Sequence, residues 1–136
     1  MRYLDTNVFV RILARDNPDM TARVESLFDR IESGEETVVV LDAIVAETIF
    51  VLTSPDLYQQ ARSQVVAGLK ALLSLESVRM EDKRRCMLAL DLYEARRGLS
   101  FVDSLLAASA LRDESGQVLS FDRGIGRVPG VTLVEP

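Results

Sequence analysis

Three times in this sequence a short apolar run ends in an acid. Met1-Arg2-Tyr3-Leu4 runs into Asp5, Thr37-Val38-Val39-Val40-Leu41 into Asp42, and Gln117-Val118-Leu119-Ser120-Phe121 into Asp122. Helical spacing follows the first two acids, and a loop with Gly124, Gly126, Pro129 and Gly130 follows the third. Short β-branched runs that alternate with amphipathic helices predict a mainly parallel sheet with helices on both faces. The expected fold class is therefore α/β, a three-layer α/β/α sandwich around a central sheet of about four to five strands. In such sheets ligands bind beyond the C-terminal strand ends, where these acids stand.

Taken in order, Val8 to Leu13 reads as an amphipathic helix after Asp5. Asn17-Pro18-Asp19 supplies an N-cap, a proline at the first helical position and an acid in the first turn of a helix that Gly34 ends. Met20, Val24, Leu27, Phe28 and Ile31 recur at helical spacing and are expected in the core. Thr37 to Leu41 reads as a fully buried strand. The helix after it is predicted to carry Ile44, Thr48 and Val51 on one face, with Glu47 among them. Ser54-Pro55-Asp56 repeats the cap-proline-acid pattern and predicts a helix through about Leu73, with Leu57, Ala61, Val65, Leu69 and Leu72 inward. A third strand is expected at Val78 to Met80 and a helix from Asp82 to Arg97, ended by Gly98. Another helix runs from Ser100 to Gly116, and Val131 to Val134 reads as a last strand. A single domain, 1–136, is expected, with Cys86 as a small core hydrophobe.

Composition excludes much chemistry. The chain has no histidine and one cysteine, which removes histidine triads, Cys/His pairs, thiolate zinc sites and disulfides. Catalysis must rest on carboxylates, hydroxyls, arginines and bound metal. A net charge of −5 argues against a general nucleic-acid coat. Of the 16 basic residues 14 are arginine, a bias that suits phosphate and that genome base composition explains equally well. No apolar run approaches the length of a membrane span, and no secretory leader is read at the start. A cytoplasmic protein without membrane contact is expected.

Each acid has a structural as well as a chemical reading. Asp5 and Asp42 could cap the helices that follow them, each carboxylate accepting from backbone N–H groups. Glu47 could snorkel to the edge of its apolar stripe or pair with an arginine. Asp103 could complete a capping box with Ser100, although its side chain is short for that reach. Against this, a parallel sheet gathers strand ends on one edge, where Asp5, Glu47, Asp103 and Asp122, with Asp42 as a possible fifth, would form one acidic cluster. Clustered carboxylates stay ionised together around a divalent cation, and an all-oxygen donor set favours Mg²⁺ or Mn²⁺.

Four pieces in this order, Asp5-Thr6-Asn7, Glu47, Phe101-Val102-Asp103-Ser104-Leu105-Leu106-Ala107-Ala108 and Ser120-Phe121-Asp122-Arg123, resemble the PIN-domain ribonucleases, and among them the VapC-type toxins of toxin–antitoxin pairs. The resemblance covers the whole length. It implies that Asp5 and Asp103 bind metal most directly, that Glu47 and Asp122 complete the site directly or through water, and that Thr6, Asn7 and Ser120 support them. It further implies metal-assisted hydrolysis of RNA to 5′-phosphate and 3′-hydroxyl products, a homodimer, and a cognate antitoxin that covers the site. Other classes remain open. A haloacid-dehalogenase-type phosphatase wants a second Asp where Asn7 stands. A noncatalytic PIN-like binding or assembly module and a DNA-directed nuclease share the same acids.

Overall fold

In the computed structural model, which describes residues 1–136, each of the acid-terminated apolar runs contributes a strand, and every strand pairing is parallel. The chain divides into two units, residues 1–83 and 84–136. The α/β class read from the sequence holds, with strands of two or three residues paired as one sheet of three and one of two.

The first unit runs β1 (Arg2–Tyr3), α1 (Thr6–Ala14), α2 (Pro18–Glu32), β2 (Val38–Val39), α3 (Asp42–Thr53), α4 (Arg62–Leu73) and β3 (Val78–Arg79), with strand order β1-β2-β3. Arg2 and Tyr3 lie opposite Val38 and Val39, which lie opposite Val78 and Arg79. The ladder reaches one residue further: the Leu4 N–H donates to the Val39 carbonyl and the Val40 N–H to the Arg79 carbonyl. Asp5 and Leu41 therefore leave adjacent strands at the same edge. α1 packs on α2 and α3, with Phe9 and Phe28 in tilted ring contact at 6.2 Å. Asn17 caps α2 by accepting from the Met20 N–H at 3.1 Å, as the sequence predicts.

Several expectations are corrected here. The second apolar run is not buried throughout: Val38 and Val40 are buried, but Leu41 is 52 % exposed because it serves as the N-cap residue of α3. Ser54-Pro55-Asp56 does not start a helix. The Gln60 N–H donates back to the Leu52 carbonyl and Gln59 takes a positive φ of 52°, so the chain turns before α4 begins at Arg62, and Leu57 and Ala61 stay outside the core. On α3 the core-facing residues are Val45, Thr48, Ile49 and Leu52, a rotation from the predicted stripe that leaves Glu47 exposed. On α2 Phe28 and Ile31 are buried, whereas Met20 is exposed and Val24 and Leu27 are half-buried.

The second unit holds α5 (Lys83–Ala95, starting at the boundary), α6 (Phe101–Leu111), β4 (Gln117–Leu119), a short 3₁₀ turn (Ile125–Arg127) and β5 (Thr132–Val134). Gln117, Val118 and Leu119 pair with Thr132, Leu133 and Val134. Leu99, Ala107, Val118, Ile125, Val128 and Val131 form one apolar cluster, and Cys86 is fully buried as expected. Gly116 is required where it stands: its φ is +61° and a Cβ would lie 2.8 Å from the Gly130 carbonyl oxygen. No helix is long and apolar enough to cross a membrane.

Candidate active site

In the first unit the sequence between β1 and α1 is too short for a loop, so Asp5 is at once the last extended residue and the residue before the helix. Its φ of −91° and ψ of 161° are those of an N-cap, and its carbonyl accepts from the Val8 N–H, yet its carboxylate makes no capping hydrogen bond. The capping reading of Asp5 is thus removed, and an exposed carboxylate remains at the sheet's C-terminal edge. Thr6, the next residue, is buried at 6 % exposure and donates its hydroxyl to Glu47 Oε2 at 2.8 Å. That bond joins the first turn of α1 to the middle of α3 and holds an exposed glutamate on the residue adjacent to Asp5. Asn7 follows on the exposed side of α1. Asp42 occupies the first turn of α3, where a carboxylate complements the helix dipole, while Leu41 takes the cap position.

The second unit carries the other two acids. Ser100 caps α6 by accepting from the Asp103 backbone N–H at 3.1 Å. The cap therefore uses Asp103's main chain and not its carboxylate. The core side of α6 is Phe101, Ser104, Ala107, Ala108 and Ala110, with Leu106 exposed and Asp103 half-buried at the border. After β4 the Ser120 N–H pairs with the Val134 carbonyl, and the Ser120 hydroxyl accepts from the Asp122 N–H at 2.9 Å. Asp122 is exposed, and its Oδ1 accepts from the Gly124 N–H at 2.9 Å, which folds the chain into a turn. Ser120 thus fixes the backbone on which Asp122 is presented, and one Asp122 oxygen has a turn-forming role that the sequence did not reveal.

The donor set suits a hard cation. Every candidate side chain offers oxygen, and Asp5 and Glu47 are exposed carboxylates of one unit. Within neither unit do three or more acids or thiols come together as a ready-made metal cage. Mg²⁺ does not need one, since it keeps several waters and is held by one or two carboxylates together with substrate phosphate.

The PIN domain family model matches residues 2–131, running through both units and spanning all four candidate acids together with Thr6, Asn7 and Ser120. The chain belongs to the PIN domain family. PIN domains are typically nucleases that use divalent metal ions. No curated protein matches the chain. Sequence reading weighs the arginines of this PIN-family chain only in aggregate and misses how Arg2, Arg11, Arg23 and Arg30 collect around one groove beside Asn7. The available signal was the seven-residue interval between Arg23 and Arg30, which places both on one face of α2 with Met20 and Leu27.

Proposed function

We propose that this PIN-family chain is a metal-dependent endoribonuclease, the toxin of a toxin–antitoxin pair, acting as a single nuclease domain over residues 1–136. The observation that carries the reading is the uncapped, exposed Asp5 at a strand end, followed by a buried threonine that fixes Glu47. A helix cap or a solvated glutamate would need neither arrangement.

In this reading Asp5 and Asp103 hold Mg²⁺ or Mn²⁺, with Glu47 and Asp122 contributing directly or through water. A divalent cation, when bound, neutralises charge on the phosphodiester and lowers the pKa of the attacking water. Glu47, kept in one rotamer by Thr6, orients that water for in-line attack. Asn7 faces the phosphate with a neutral donor, and Ser120 sets the backbone position of Asp122. A homodimer and a cognate antitoxin that covers the acids complete the proposal.

The test is cleavage of single-stranded and structured RNA by the purified protein, freed of any partner, with Mg²⁺ or Mn²⁺. EDTA should silence it, and Asp5→Asn and Asp103→Asn should abolish it with the fold intact. Inducing the wild type alone should halt growth, and Asp5→Asn should be harmless. Full activity in EDTA or in either variant overturns the mechanism. Cleavage confined to DNA of matched sequence overturns the RNA assignment and leaves the chemistry standing.

A further inference from the structure

A groove of about 450 Å³ lies between α1 and α2 in the first unit. Its floor is aliphatic, made by Val8, Val24 and Leu27 with Met20 beside them, and arginines stand along it from β1, α1 and α2. No carboxylate lines it, which is notable in a chain of net charge −5. Nearby acids offset only part of the positive charge. Glu36 is shared between Arg2 and Arg30, and Asp16 takes Arg11 at 3.1 Å. Arg23 is exposed and has no ion pair. Arg23 and Arg30, seven residues apart on α2, stand about 10 Å apart along the helix axis.

This charge favours an anionic occupant, and the place of the groove along α1 bears on its class. Asn7 lines it, one residue from the Thr6 that holds Glu47 and two from Asp5. An acidic peptide would be satisfied by the arginines and the aliphatic floor but gives no reason for the groove to be lined by a residue two positions along the chain from Asp5. A polyanion being cut there does. We infer that the α1–α2 groove is the track by which an RNA strand reaches Asp5, with its phosphates on Arg23 and the neighbouring guanidinium groups and its sugars and bases over the aliphatic floor. The inference rests on the nuclease reading above. Arginine suits the task because its planar fork both grips phosphate in two places and stacks on bases. Since the grip is on phosphate, binding is weakly dependent on base identity and strongly dependent on salt.

The experiment separates binding from cleavage. Asp5→Asn protein in EDTA is titrated into a fluorescein-labelled single-stranded RNA of about 12 nucleotides, and anisotropy is followed from about 50 to 200 mM salt. Adding Arg23→Ala should weaken binding roughly fivefold and reduce the slope of log affinity against log salt by about 0.7, the share of one phosphate contact on a single strand. Arg23→Lys should keep the slope, and Arg97→Ala, on the second unit, should change nothing. In otherwise wild-type protein Arg23→Ala should raise KM and leave kcat unchanged. If the protein cleaves RNA but Arg23→Ala retains the parent affinity, slope and KM, the track is overturned and the nuclease reading survives. If the wild type neither binds nor cleaves RNA, both fall. If Arg23→Ala leaves RNA binding intact and instead weakens capture of a Glu-rich amphipathic peptide, the groove belongs to a protein partner and the RNA track is overturned.

Discussion

A hydroxyl that donates to an exposed carboxylate contributes little to stability, because water replaces it when it is lost. The Thr6 to Glu47 bond therefore matters through position. Thr6→Val keeps the buried volume and removes the donor, so we expect kcat to fall at least tenfold, KM to change little, and the thermal midpoint to move by no more than a few degrees. Thr6→Ser should recover most of the rate. A Thr6→Val enzyme with wild-type kcat would show that Glu47 needs no tether. A second polar pair fixes a pH dependence. The Tyr58 hydroxyl donates to Asp16 Oδ2 at 2.8 Å, and this bond, followed by weaker help from the Asp16 main chain and Arg11, holds the Asp16 carboxyl below its usual range while raising Tyr58. A carboxylate with a depressed folded pKa stabilises the fold above its unfolded pKa and loses that contribution as pH falls through the folded one. The difference in midpoint between wild type and Tyr58→Phe should accordingly be present at neutral pH and vanish in strong acid; a difference that persists in acid would assign it to packing. Both bonds span about forty residues of sequence, 41 for Thr6 and 42 for Tyr58. Asp5 was legible because its signal is local, a strand end against a helix start. The two bonds themselves were not, because no periodicity reports which two side chains so far apart in sequence will meet.

Capping chemistry was partly readable among the elements, since it is decided within four residues, although Asp5 makes no side-chain cap and Leu41, not Asp42, takes the cap position of α3. Asn17 and Ser100 both cap as the sequence predicts. The failures came where a local signal met a longer-range contact. Ser54-Pro55-Asp56 has the composition of a helix start, but the Gln60 N–H bonds to the Leu52 carbonyl and Tyr58 reaches Asp16, which hold this stretch as a turn. The stripe on α3 was misjudged because Ile44, Val45, Val51 and Leu52 are all apolar, so hydrophobicity alone cannot choose the buried face. On α6 the two readings of Asp103 now separate cleanly. Ser100→Ala removes the acceptor for the Asp103 N–H and should cost about 1 kcal/mol of stability. Asp103→Asn keeps that N–H and should cost nearly nothing in EDTA, while abolishing cleavage. Urea unfolding of the two variants checks this, and an Asp103→Asn loss as large as that of Ser100→Ala would return Asp103 to a purely structural role.

At the scale of the whole molecule, alternation of strand and helix was enough to fix the α/β class and the parallel sense, and the family match through residues 2–131 agrees with it. Strand length was not legible, since β-branched runs of five residues yield hydrogen-bonded strands of two or three. What the family leaves for experiment is the ion, and stability reads it without knowledge of any substrate. A cation that binds only the folded chain adds RT ln(1 + [L]/Kd), on the order of 1.4 kcal/mol at about ten times Kd, which raises the midpoint of a chain this size by a few degrees. The Asp5 carboxylate makes no capping bond, so Asp5→Asn should be close to neutral in EDTA and should lose most of the rise that millimolar Mn²⁺ gives the wild type. Asp103→Asn should behave the same way. Melts of the three proteins, each in EDTA and in Mn²⁺ at fixed ionic strength, make the comparison. A wild-type midpoint indifferent to Mn²⁺ and to Mg²⁺, or an Asp5→Asn variant that keeps the full rise, would remove Asp5 from metal binding. The carboxylate that makes no helix cap would then have to be explained by a partner and not by an ion.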